Sequence, residues 1–243
     1  MSPRLRAPRT LRERAGVWIG DYAYALRSES RSARSRPDPV PFEQGDKRPV
    51  LLIPGVYERW EYLLPVAQAL NDAGHPCFIV PRLQRNSIPI PEAARLAGAV
   101  LRERDLTDVV IVAHSKGGLI GKHVLAFDDP DRRVAGVVAI ASPFQGSTLS
   151  RLPLTRPLRE FAPGRGSIAA LTAEKLINEH IVSIYPYFDT HIPRGSELAG
   201  ATNIALPLSG HFRVLAEPLV IAEALRAVAA LPRTHRAPEA FDL

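Results

Sequence analysis

Apolar residues change their spacing repeatedly along this chain, and each change marks an element. The run PVLLIPG at 49–55 is short, continuous and closed by glycine, as a strand covered on both faces is. ERWEYLLPVAQALNDAG at 58–74 spaces its apolar residues at three and four and stops at glycine, the pattern of an amphipathic helix. HPCFIVP at 75–81 is apolar again, which completes a βαβ unit. The alternation goes on with a helix at 91–104, the unbroken strand of DVVIVAHS, a helix from 116 to about 127, and a strand in RVAGVVAIASP at 133–143. HIVSIYPYF at 180–188 and ATNIALPL at 201–208 are the last strands, and EPLVIAEALRAVAAL is the closing helix. This order predicts an α/β fold: a mostly parallel central sheet of about six strands, helices on both faces, ligands at the carboxyl ends of the strands.

Before residue 49 the pattern is different. Leu11, Ala15, Trp18, Ile19, Tyr22 and Leu26 recur at three and four, so LRERAGVWIGDYAYALR predicts an amphipathic helix that docks on the body or lies on a membrane, docking being the expectation. SESRSARSRPDPVPFEQGDKRP has little to bury and reads as linker. The chain thus divides into a basic arm with helix and linker (1–48), one domain (49–232) and a tail (233–243). With 243 residues, 46% of them apolar, that domain can bury one substantial core.

Charge separates the arm further from the body. Residues 1–36 hold nine arginines against Glu13, Asp21 and Glu29, so of the 31 basic and 25 acidic residues the remainder balances at 22 to 22. Without interleaved aromatics such an arm reads as a solvated lead-in: no nucleic-acid partner is expected, and weak contact with an anionic membrane is the alternative. A single cysteine, Cys77, excludes an intrachain disulfide, and no Cys/His spacing suggests zinc, so neither a disulfide staple nor a structural metal is expected. The longest uncharged run of the arm, AGVWIG, is too short for a secretory signal core, which predicts a cytoplasmic protein.

Chemistry enters at IVAHSKGGLIGKHVL (111–125). Ser115 ends an apolar strand and opens a helix, with Gly117 and Gly118 letting the two approach, so its hydroxyl stands at a sharp corner above the sheet, although Ala113 replaces the usual first glycine of G-x-S-x-G. A serine hydroxyl needs a base and an acid in the chain order Ser, acid, His. Of seven histidines, His211 lies just past the last strand in LPLSGHFRVL; His180 and His191 are rivals, while His114 and His123 read first as packing or surface residues. Asp189 follows the preceding strand in IYPYFDTHIP, whereas Asp128, Asp129 and Asp131 read as a solvated turn at the opposite edge of the sheet. Two backbone N–H groups are expected to face an oxyanion, those of Lys116 and of Val56, which follows Gly55.

IPGVY, AHSKGG, SPFQGS, SIAALTAEKL, FDTHIP and NIALPLSGHFRVL together resemble the successive motifs of small bacterial lipases and esterases of the α/β-hydrolase fold, over about 49–231. The resemblance implies carboxylic ester hydrolysis through Ser115, Asp189 and His211, without a cofactor, on an acyl ester or lipid. It also implies that residues 144–180 cap the serine, with Leu158 and Phe161 shaping an acyl pocket and Tyr57 and His114 bordering the substrate. Lysine after the serine departs from the pattern; its side chain is expected to meet an anionic substrate group or to reach solvent. A thioesterase or acyltransferase on the same residues, and a non-catalytic binding protein of this fold, are the alternatives.

Overall fold

The computed structural model describes residues 10–34, 37–147, 160–162, 164 and 166–234. Its centre is one six-stranded sheet: β1 (Val50–Ile53), β2 (Cys77–Ile79), β3 (Val109–His114), β4 (Val134–Ile140), β5 (Ile181–Phe188) and β6 (Thr202–Ser209). All neighbours run parallel, in the order β2-β1-β3-β4-β5-β6. Residues 50–53, 109–113 and 134–140 of β1, β3 and β4 are apolar without a break because both faces are covered. Val50, Leu52, Val110, Val112, Val138 and Ile140 meet α2 (Leu64–Asp72) and the C-terminal α6 (Pro218–Ala230). Their alternates Leu51, Ile53, Ile111, Ala113, Val137 and Ala139 meet α3 (Ile90–Glu103), α4 (Lys116–His123) and α5 (Gly166–Ala173).

The region before the sheet differs from its reading. Helix α1 spans Leu11–Arg34, continuing through SESRSAR, where a linker was expected. Its start is a reciprocal cap: the Glu13 N–H donates to Thr10 Oγ1 (3.2 Å) and the Thr10 N–H to Glu13 Oε2 (3.1 Å). Further along, long-range contacts hold residues of weak helix propensity. Ser28 is buried, and Glu29 bonds both the Tyr62 hydroxyl and the Arg85 guanidinium. The helix docks on the body, but of its apolar stripe only Trp18 and Tyr22 take part. Asp21, Tyr24, Ala25 and Ser28 face inward, while Leu11, Ile19 and Leu26 are 85%, 72% and 69% exposed. Arg48, also assigned to the linker, is buried. It makes a bidentate pair with Asp108 (2.9 and 3.1 Å) and donates to the Val228 and Leu231 carbonyls, tying the end of α6 to the sheet.

The turn of Asp128, Asp129 and Asp131 lies at the amino ends of the strands, not at an edge, since β4 is an inner strand. There the Asp129 carboxylate accepts from the Arg133 and Val134 N–H groups.

Candidate active site

Strand order places the site. From β1 the chain moves to one side, to β2, and then returns to the other side, to β3, so the loops after β1 and β3 part above the sheet and leave a crevice. Val56 stands in the first loop and Ser115 at the end of the second strand. Ser115 adopts φ 51°, ψ −120°, a conformation rare for a residue with a side chain, and it aims the hydroxyl upward. The glycines after it are dictated by contact. A Cβ on Gly117 would stand 2.2 Å from the Ile53 carbonyl oxygen, and one on Gly118 would stand 2.1 Å from Ser142 Oγ.

Three side chains from three strand ends form one hydrogen-bonded line. His211 Nε2 is 3.0 Å from Ser115 Oγ, and His211 Nδ1 is 2.8 Å from Asp189 Oδ2. The other Asp189 oxygen accepts the N–H groups of His191 (2.7 Å) and Ile192 (2.9 Å), which orients the carboxylate. All three residues are buried. Burial by itself would lower the His211 pKa, but the charge and hydrogen bond of Asp189, with Glu58 and Asp21 behind them, raise it above its ordinary value. Burial likewise pushes the Asp189 carboxyl up, and His211 with the two N–H groups brings it below the usual carboxylate range.

The rival histidines are engaged elsewhere. His191 packs beside His211, with ring centroids 4.8 Å apart, and contacts the hydroxyls of Thr190 and Tyr22. Burial, then the neighbouring His211, pushes its pKa down to about 4, so it is neutral at physiological pH. His180 sits at the amino end of β5 and His123 pairs with Asp128.

His114 was expected beside the substrate but lies one layer beneath. Fully buried, it joins Glu58 Oε2 (2.8 Å) through one ring nitrogen and the His211 carbonyl (3.0 Å) through the other. The same Glu58 oxygen accepts the Gly55 N–H at 2.7 Å, and a Cβ on Gly55 would meet that carboxylate, so the loop of Val56 is moulded around Glu58. Lys116, the first residue of α4, leaves its backbone N–H without an intrahelical partner. Its side chain meets neither substrate nor solvent: it is fully buried, donates to the carbonyls of Asn86 and Ile88, and lies 3.8 Å from Glu160. Burial pushes its pKa down to about 8, against the pull of Glu160.

Above Ser115 opens a mostly apolar cavity of about 550 Å³, within the range of small-molecule pockets. Val56, Tyr57 and Phe161 line it. Leu158 lies outside the described residues. The wall that sequence reasoning missed is α1, which contributes Trp18, Tyr22, Ala25 and Glu29. Also missed was Asp21. Fully buried, its Oδ1 accepts three consecutive backbone N–H groups, of His211 (2.9 Å), Phe212 (2.7 Å) and Arg213 (3.0 Å). Its standing as the one charged residue between Arg14 and Arg27 was the only signal for it, and it is one that pattern reading treats as a break.

Asp189, His191 and His211 bring possible ligand atoms within 4.8 Å of one another, but a metal held there would displace the His211–Asp189 hydrogen bond.

No family model and no curated protein sequence matches the chain. Solved structures do match in shape. Aspergillus fumigatus lipase B superimposes with a TM-score of 0.62 at 16% identity, over 79% of this chain and 55% of that one. Bacillus licheniformis lipase BlEst2 in mature form gives 0.56 at 14%, over 79% and 94%. An alpha/beta hydrolase fold protein from Burkholderia ambifaria gives 0.56 at 16%, over 75% and 92%. The chain has the α/β-hydrolase fold. This hydrolase fold spans only about half the length of the Aspergillus lipase, and at such identities the likeness concerns architecture.

Proposed function

We propose that this protein is a carboxylic ester hydrolase that works through an acyl-enzyme. The observation that carries the reading is the line Ser115 Oγ, His211, Asp189 at the floor of an apolar cavity. His211 takes the Ser115 proton as Oγ attacks the ester carbonyl. Asp189 holds the imidazole by its Nδ1–H and balances the imidazolium that forms. The tetrahedral oxyanion accepts from the backbone N–H groups of Val56 and Lys116. His211 then returns the proton to the departing alcohol, and on the second pass it activates water against the acyl-serine. Asp21 acts through His211 as a positioning residue, fixing the backbone from which the imidazole projects. The apolar lining and the lipases and esterases among the structural neighbours support acyl esters as the substrate class.

The test is a panel of soluble nitrophenyl esters together with a fluorophosphonate probe. Hydrolysis and labelling are expected of the wild type, with both lost in Ser115→Ala and a turnover loss on the order of 10⁴ or more. Labelling that persists in Ser115→Ala would overturn the assignment. Acyl-thioesters assayed alongside decide whether the leaving group is an alcohol or a thiol.

A further inference from the structure

On the outer face of α1, Leu11, Ala15, Ile19 and Leu26 take no part in this chemistry. Leu11, Ala15, Trp18, Ile19, Tyr22 and Leu26 recur at helical spacing along one side. Because the helix docks through Asp21, Tyr24, Ala25 and Ser28, the side chains of Leu11, Ile19 and Leu26 are left in water, while Trp18 and Tyr22 are half-exposed, each with one side of its ring against His191. At 24 residues the helix is about 36 Å long, so the stripe runs across much of one surface of the molecule.

Two observations identify what covers it. The first is charge. Residues 1–36 carry nine arginines against three acids, and two of those acids are directed at the body: Asp21 is buried, and Glu29 is paired with Arg85. Arg12 and Arg27, both exposed, border the stripe. An apolar stripe with Trp and Tyr, edged by arginine, fits the boundary between headgroups and acyl chains, and the surplus positive charge selects anionic lipid. The second is continuity. Trp18 and Tyr22 belong both to the stripe and to the wall of the cavity, so the cavity opens beside the stripe. No helix among the described residues is long and apolar enough to cross a membrane.

We propose that α1 is a membrane-docking helix: its outer face seats in an anionic bilayer and sets the mouth of the cavity against the lipid. That the lipid also supplies the substrate rests on the ester-hydrolase reading; the docking itself does not.

The full chain carrying Ser115→Ala is sedimented with vesicles of phosphatidylcholine alone or mixed with phosphatidylglycerol. Binding to the anionic vesicles is expected to be about tenfold or more tighter, and to weaken with salt. Leu11→Gln, Ile19→Gln and Leu26→Gln together should lower that binding by about tenfold or more. The same three changes, in a chain that keeps Ser115, should leave melting temperature and turnover of a soluble nitrophenyl acetate unchanged, since none of them lines the cavity. Arg12→Glu with Arg27→Glu should weaken binding to the anionic vesicles selectively. A chain that ignores anionic vesicles at low salt, or a triple variant that binds as well as its parent, would overturn the proposal. So would a dimer in sedimentation velocity that the triple variant converts to monomer without vesicle binding in either, which would assign the stripe to a second copy. Failure of ester hydrolysis and probe labelling with vesicle binding intact would sink the chemistry alone.

Discussion

Asp21 and Asp189 show how one residue type does two jobs by virtue of what it accepts. Asp189 faces an imidazole nitrogen, and its charge sets the protonation of His211; Asp21 faces peptide N–H groups, and it sets where His211 stands. Because the His211 pKa is raised from 6.5 and the base must be neutral, kcat/KM should rise with pH along a limb centred above 6.5. The sign for stability is the opposite: the contribution of the raised His211 is fully present below about pH 6.5 and is lost as pH climbs through the folded value. Asp189→Asn should move the kinetic limb down and cut turnover strongly, on the order of 10³ or more, by holding the wrong tautomer. Asp21→Ala leaves the buried His211 N–H and the partly buried Phe212 and Arg213 N–H groups without their acceptor, and since an unsatisfied buried N–H costs about 1–3 kcal/mol, both melting temperature and kcat should fall. Asp21→Asn keeps an acceptor but removes the charge that helps raise His211. A downward shift of the acid limb in that variant separates positioning from mere stability, and an unmoved limb would leave Asp21 a purely structural residue.

At the scale of elements, the corner between β3 and α4 and the docking of α1 carry the site. Gly117 lets α4 start against the end of β1, and Gly117→Ala should destabilise the fold by about 3 kcal/mol, read as a lower urea midpoint. Helix α1 closes one wall of the cavity and supplies Asp21. Removing residues 1–34 should therefore abolish turnover while the far-ultraviolet spectrum keeps its strand and helix signal, because the sheet and its other helices are covered by α2, α3, α4 and α6. A truncated chain with wild-type kcat would show that the helix is dispensable to the histidine loop.

For the whole molecule, the ester-hydrolase reading makes a cavity walled from both ends of the chain the selector of acyl length. With each buried methylene contributing roughly 0.8 kcal/mol, medium-chain nitrophenyl esters should exceed the acetate by about tenfold or more in kcat/KM. Phe161→Ala should shift the preferred length, and an unchanged profile in the folded variant would rule this residue out of the acyl site. The reading of β1 to β6, α2 to α4 and α6 was available in the sequence because period and punctuation are local: apolar runs with a glycine stop, or spacing at three and four, survive in any tertiary context. Ser115, Asp189 and His211 were legible for a related reason, since each directly follows a strand and the parallel sheet puts the ends of its strands together. What local pattern does not encode is which side of a helix meets the body. The apolar stripe of α1 predicted one docking face, and the structure turns the helix so that only Trp18 and Tyr22 of that stripe meet the body, because a single carboxylate can satisfy three N–H groups of a loop 190 residues away. The burial of Lys116, the descent of His114 beneath the site and the capture of Arg48 by Asp108 are of the same kind. Each polar group found its partners on a distant segment, and those partnerships exist only once the chain has closed on itself.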